Sequence, residues 1–218
     1  MGKLIVLEGT DGSGKATQTA ALLDRLRREG VDCRKIEFPR YQEESSALIR
    51  EYLRGDFGEK PSDVNAFAAS TFYAVDRYAS YQQDWGGYYR QGGLVIADRY
   101  TTSNAVHQGS KLQGKERTDF FEWLFDYEYR LLGLPKPDLV IYLDVPVDQT
   151  EQNMHRREIQ TGASADIHER DDGYLRACRV AAGEAAERFG WTKIACTKNG
   201  AMRSIDEIHE DVYRAVKE

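Results

Sequence analysis

The sequence contains no run of eighteen or more apolar residues, so no membrane-spanning helix is expected. It enters an apolar, strand-like run at once, with no basic segment or apolar leader, so no signal peptide is expected either. Cysteine is scarce. Cys33, Cys178 and Cys196 are odd in number and far apart, which argues against a disulfide framework and against a zinc site. Reduced thiols used as core filler, in a cytoplasmic setting, fit better. Positive charge is not in excess: 30 Lys and Arg face 36 Asp and Glu, for a net charge of −6. A chain that coats a nucleic acid polymer needs a basic stripe, so no such partner is expected. The same balance leaves room for a mononucleotide gripped by a few local cations. No repeat, low-complexity tract or Pro/Ser-rich linker divides the 218 residues, and one domain over 1–218 is expected.

What the chain does have is Gly9-Thr10-Asp11-Gly12-Ser13-Gly14-Lys15, set between Leu4-Ile5-Val6-Leu7 and the helical pattern Ala20, Leu22, Leu23, Leu26. A strand, a glycine turn ending in Gly-Lys and a helix make a phosphate cradle. Backbone N–H groups converge on an anion, and the helix start adds its positive dipole end. Lys15 adds a point charge for the terminal phosphates. The residue after the lysine, usually a Ser or Thr whose hydroxyl sits on Mg²⁺, is Ala16; Thr17 follows one place late.

Short apolar runs at 3–8, 34–38, 94–97, 138–143 and 192–196 read as strands buried on both faces. Helical patterns fall at 14–29, 44–54, 63–85, 116–132, 147–159, 169–189 and 204–217. Alternation of the two predicts an α/β fold, a five-stranded parallel sheet wrapped by helices. The polar stretch 157–168 reads as a mobile surface loop.

In such a sheet, ligands sit beyond the carboxyl ends of the strands. Phe38 and Arg40 end the second strand; Phe38 can line a pocket and Arg40 can meet a phosphate, or simply face water. Asp98 and Arg99 end the third. Asp98 can hold Mg²⁺ directly or through water, and Arg99 can grip a phosphate with two nitrogens, or the two can form an internal ion pair. Tyr73 and Arg77 are four apart and share one helix face. They can stack on a base and donate to its carbonyl edge, or be a core ring and a surface cation. Asn104 offers a donor and an acceptor suited to a pyrimidine O4 and N3–H.

Taken together, Leu-Glu-Gly-Thr-Asp-Gly-Ser-Gly-Lys at 7–15, Phe-Pro-Arg-Tyr at 38–41 and the Tyr73 and Arg77 helix resemble the thymidylate kinase family. So do Asp-Arg-Tyr at 98–100 with Ser103-Asn104, Gly-Leu-Pro-Lys-Pro-Asp at 133–138 and Glu169-Arg170-Asp171. These motifs run through nearly the whole chain. The resemblance implies a P-loop nucleoside monophosphate kinase that makes dTDP from ATP and dTMP with Mg²⁺, as a homodimer. It implies that residues 9–17 bind ATP, with Gly9, Thr10, Asp11, Gly12, Ser13, Gly14, Lys15, Ala16 and Thr17 forming that loop. Lys15 would stabilise the transferring phosphoryl group, and Asp11 would sit between the nucleotides near the acceptor sugar. Arg40 and Arg99 would hold the acceptor phosphate. Tyr73 would stack on thymine, and Arg77 and Asn104 would read its edge. Phe38, Tyr41, Ser103 and His107 would complete the acceptor pocket. A lid over about 155–168 would close on ATP.

The chain departs from the family pattern in three places. Ala16 removes a hydroxyl ligand for the metal. The family places a catalytic arginine in the P-loop or in the lid; here none stands in the P-loop and none lies between Glu158 and Ile167, so the resemblance points to Arg156 or Arg157, with Arg170 a distant third. His107 stands where some members place an aromatic ring beside the deoxyribose; the resemblance then implies relaxed discrimination against ribonucleotides, and the alternative reading is a histidine on a helix surface. Two other readings fit the same residues: a deoxynucleoside kinase, whose acceptor lacks the 5′ phosphate, and a nucleotide-binding regulatory module without catalysis.

Overall fold

The computed structural model describes the backbone of residues 1–161 and 172–218, and the side chains of 1–154 and 173–218. The central sheet has five parallel strands in the order β2-β3-β1-β4-β5. These are β1 (Lys3–Glu8), β2 (Cys33–Glu37), β3 (Leu94–Asp98), β4 (Leu139–Asp144) and β5 (Thr192–Ala195). Residues alternate across it, as a pleat requires. Leu4, Val6, Val95, Ala97, Val140 and Tyr142 enter one core layer, and Ile5, Leu7, Ile96, Ile141 and Leu143 enter the other. The edge strand β2 exposes Arg34, Lys35 and Glu37, charges that discourage a further strand from pairing there.

The second layer is closed by α1 (Lys15–Arg28) and α9 (Ile205–Lys217). Leu22, Leu23 and Leu26 of α1 meet Ile208, Val212 and Val216, which recur every four residues along α9. Helix α9 starts on a capping box: Ser204 Oγ accepts from Glu207 N at 3.2 Å and Glu207 Oε2 accepts from Ser204 N at 2.9 Å. The first layer is covered by α3 (Ala66–Ser80), α4 (Gly86–Arg90), α5 (Thr101–His107), α6 (Gly114–Phe125) and α8 (Asp172–Phe189), with α2 (Ala47–Arg54) against α3 and α7 (Val147–Thr161) leading toward α8.

The five predicted strands are all present. The helix predicted over 63–85 begins later, at Ala66, and runs through a π-turn at Tyr81–Trp85 to Arg90. Helix α6 likewise passes into a π-turn at Asp126–Leu131. Helix α7 reaches Thr161, inside the stretch read as loop. Two features were not predicted: the seven-residue α5, and a small antiparallel hairpin of β6 (Thr197–Lys198) and β7 (Ala201–Met202). The three cysteines are free and buried, as their spacing predicts. Among the described residues no helix is long and apolar enough to cross a membrane.

Candidate active site

Strand register builds the site. Leu7 of β1 pairs with Asp98 of β3, so the chain leaves both strands side by side. Arg99 N donates to Leu7 O at 3.2 Å, which joins the two exits. One exit is the glycine loop, the other the Asp98-Arg99-Tyr100 turn.

The loop owes its shape to glycine at two points. Gly14, at φ 87°, caps α1 in the left-handed region where a side chain is strained. Gly12, at φ 75°, lies so close to α7 that a Cβ there would meet Thr150 O at 2.4 Å. Asn153 Nδ2 donates to Gly12 O at 2.9 Å, a second tie between loop and α7. Lys15 Nζ turns into the loop and donates to Gly9 O at 2.7 Å and Thr10 O at 2.8 Å. Burial, with Arg99 beside it, lowers the Lys15 ammonium from 10.5 to about 8, although Asp11, Glu8 and Asp98 pull the other way. Ser13 Oγ is buried with no hydrogen-bond partner among the described residues. Ala16 and Thr17 lie exposed beyond Lys15.

Beneath the loop, Glu8 is fully buried. Its Oε1 accepts from Gly9 N at 2.9 Å, and its Oε2 accepts from Thr102 Oγ1 at 2.8 Å and Ser103 Oγ at 2.7 Å. One carboxylate therefore fastens the glycine loop to α5.

Across from Lys15, a cavity opens between α3, α5 and the end of β2. Phe38, Tyr41, Tyr73 and Tyr100 supply its rings; Asp11, Arg77, Arg99, Ser103, Asn104 and His107 supply polar groups. Nine of the ten residues predicted for the acceptor pocket thus meet in one place. Arg40 does not line it. Arg40 Nε donates to Asp76 Oδ1 at 3.1 Å and its Nη2 donates to Ser45 Oγ at 2.9 Å, so this half-buried side chain is tied down and not loose in solvent. Asp98 is also outside the cavity, but its charge acts on both Lys15 and Arg99.

Arg99 is the hinge between the two halves. It sits at φ 66°, strained for a side-chain-bearing residue. Its Nη2 donates to Asp11 Oδ1 at 2.5 Å. Burial opposes its charge, but Asp11, Glu8 and Asp98 more than offset that and raise its pKa further. The internal ion pair with Asp98, the alternative left open by the sequence, is not the one seen: Arg99 pairs with Asp11.

Arg77 is not a surface cation. It is 1% exposed, and its Nε and Nη2 donate to Glu128 Oε2 and Oε1 at 2.6 Å and 2.5 Å. Its Nη1 lies 3.4 Å from Tyr100 O. Asn104 Nδ2 donates to Ser70 O at 3.2 Å. Neither Glu128 nor Asp76 carries a signal in sequence, since each partner is distant along the chain. Gln108 was also missed. It lines the cavity, is fully buried, and neither its amide nitrogen nor its oxygen has a partner among the described residues. A buried amide left unpaired is costly unless a ligand satisfies it. Arg156, Arg157 and the rest of the expected lid at 155–168 lie outside the residues whose side chains are described, as do Glu169-Arg170-Asp171.

The thymidylate kinase family profile matches residues 7–212. A thymidylate kinase of Mycobacterium tuberculosis is 33% identical over 190 residues, covering 86% of this chain and 87% of the relative. A probable thymidylate kinase of Pyrococcus abyssi is 30% identical over 218 residues, covering 99% and 96%. In fold, the chain is similar to the solved thymidylate kinase of Candida albicans, with a TM-score of 0.72, 21% identity and coverage of 99% and 91%. A profile match over nearly the whole chain, joined by relatives at 30–33% identity, shows that the chain belongs to the thymidylate kinase family.

Proposed function

We propose that this chain transfers the γ-phosphate of ATP to dTMP, giving dTDP. The observation that carries the reading is the pairing of two anion seats on adjacent strand exits. The glycine loop with Lys15 follows β1, Arg99 follows β3, and an aromatic-lined cavity with Asn104 and Gln108 extends from Arg99.

The chemistry needs positioning and positive charge. Two phosphate-bearing substrates repel, and the transition state spreads negative charge over the transferring group. Loop N–H groups and Lys15 would hold the donor phosphates. Arg99, oriented by Asp11, would hold the acceptor phosphate, whose oxygen attacks the γ-phosphorus while the ADP oxygen leaves. Arg40, fixed by Asp76 and Ser45, would flank that phosphate. Tyr73 would stack on the base, while Asn104, Gln108 and the free side of Arg77 would face its polar edge. Arg156 or Arg157 would supply the catalytic cation.

Among the described residues no group of three or more His, Cys, Asp or Glu is placed to hold a metal by itself. Asp98, a lone hard-oxygen donor whose charge reaches Lys15, fits Mg²⁺ that arrives with ATP and keeps most of its waters. When bound, that ion would neutralise charge on the donor phosphates. A second copy of the chain would cover an apolar stripe on α3, where Phe67, Val75 and Tyr78 are 42%, 52% and 42% exposed. A cytoplasmic location belongs to the same proposal.

The test is a coupled ADP-release assay with ATP, Mg²⁺ and either dTMP or thymidine. Turnover with dTMP and none with thymidine is expected. Turnover with thymidine would move the chain to the deoxynucleoside kinases, and ATP binding with no turnover on either would leave a regulatory module.

Lys15 makes a pH-dependent signature available. Its pKa of about 8 means the unliganded side chain is largely neutral above that pH. Anionic phosphates favour the ammonium, so ATP binding raises this pKa and takes up a proton in the window from about 8 toward 10.5. Calorimetry at about pH 9, in buffers of different ionisation enthalpy, is expected to show net proton uptake. The uptake should vanish in Lys15→Met. Equal proton linkage in both proteins would remove Lys15 from the phosphate site.

A further inference from the structure

His107 is read from sequence as a sugar-side residue, but the structure gives it a different neighbour. The residue is 6% exposed, and its Nε2 stands 3.0 Å from Arg99 Nη1. Guanidinium nitrogens only donate, so Nε2 accepts. The ring is therefore neutral and carries its proton on Nδ1. That side faces α8: Tyr174 Oη lies 3.4 Å from Nδ1 and Cys178 Sγ 3.7 Å from it. The backbone is fixed as well, because His107 O accepts from Tyr174 Oη at 3.0 Å and from Ser110 Oγ at 2.8 Å. Arg99 is thus held at two points, Nη2 by Asp11 and Nη1 by His107.

We propose that His107 is a positioning residue for the acceptor phosphate, holding the Arg99 fork in its phosphate-facing orientation through an Nε2 acceptor whose tautomer α8 selects. The proposal rests on the reading that Arg99 binds the dTMP phosphate. Asp11 alone leaves the guanidinium free to rotate about the Nη2 contact; a second acceptor on Nη1 fixes its plane. A planar fork meets a phosphate with two bonds only when that plane is set. The ring acts through Arg99, so its loss should be felt by ligands that carry the phosphate and not by those that lack it.

The variants separate the two ends of the ring. The amide of Gln reaches the Nε2 position, that of Asn only the Nδ1 position, and Leu fills the space without an acceptor. Binding of dTMP and of thymidine is measured by calorimetry for wild type, His107→Gln, His107→Asn and His107→Leu. His107→Asn and His107→Leu are expected to lose dTMP affinity about tenfold, the effect of one hydrogen bond to a charged group, with thymidine unchanged. His107→Gln is expected to stay close to wild type for both. In turnover the dTMP KM should rise more than kcat falls. Parallel losses for dTMP and thymidine would assign the ring to the sugar or to packing and overturn the proposal, as would unchanged dTMP binding in Asn and Leu. If Leu fails to fold, the Gln and Asn pair decides on its own. Wild type that does not discriminate dTMP from thymidine would instead refute the phosphate role of Arg99 itself, a failure visible before any variant is made.

Discussion

Replacing Lys15 by methionine is expected to lower kcat by about 100- to 1,000-fold, the loss typical of one strong donor to a developing charge. The melting temperature should change little. The two expectations have one origin. Lys15 is 6% exposed, and its burial holds the ammonium down at about 8, so the native state keeps this cation at a cost. Its two hydrogen bonds go to carbonyls of its own loop, Gly9 O and Thr10 O, and tie it to no other element. Methionine fills the volume and removes the desolvation cost. A charge kept where it does not help folding is kept for the ligand. Single-turnover rates at saturating ATP and dTMP, beside a melting curve, check both halves. Full activity in the variant would remove Lys15 from the reaction, and a collapsed melting curve would recast it as structural.

Arg77→Ala is expected to act first on stability, by about 3–5 kcal/mol, because it strands Glu128 in the core. For a chain of this size that is a fall in melting temperature on the order of 10 °C. Glu128 is 0% exposed and has two guanidinium bonds to lose; among the described residues it would keep the Thr101 Oγ1 bond at 2.7 Å. The single variant is therefore a poor probe of base recognition. The double variant Arg77→Met with Glu128→Leu removes both charges together, and most of the stability should return. In that background dTMP affinity can be read cleanly, and it should still be reduced if Arg77 faces the base. A single variant as stable as the parent would contradict the buried pair.

Much of this site is legible in sequence because its residues stand at strand exits. Gly9 to Lys15 and Asp98-Arg99 follow short apolar runs that read as buried strands, and a wound sheet presents such exits together. What was not legible depends on contacts between distant segments. Glu128 sits in a π-turn 51 residues from Arg77, in a stretch whose pattern reads as plain helix. Asp76 holds Arg40 from 36 residues away. Helix α5 escapes for a different reason. It is seven residues long, and Thr101, Thr102, Asn104, Ala105, Val106 and His107 are all buried, so no polar face alternates with an apolar one. Without that helix in view, Gln108 has no visible connection to the pocket, and His107 reads by analogy as a neighbour of the sugar and not as a partner of Arg99.

Glu8 gives the two halves of the site a common foundation. Because one side chain anchors both Gly9 and the start of α5, the glycine loop and the cavity wall that α5 forms are not independent modules. A change in the length or charge of that side chain would be inherited by both at once.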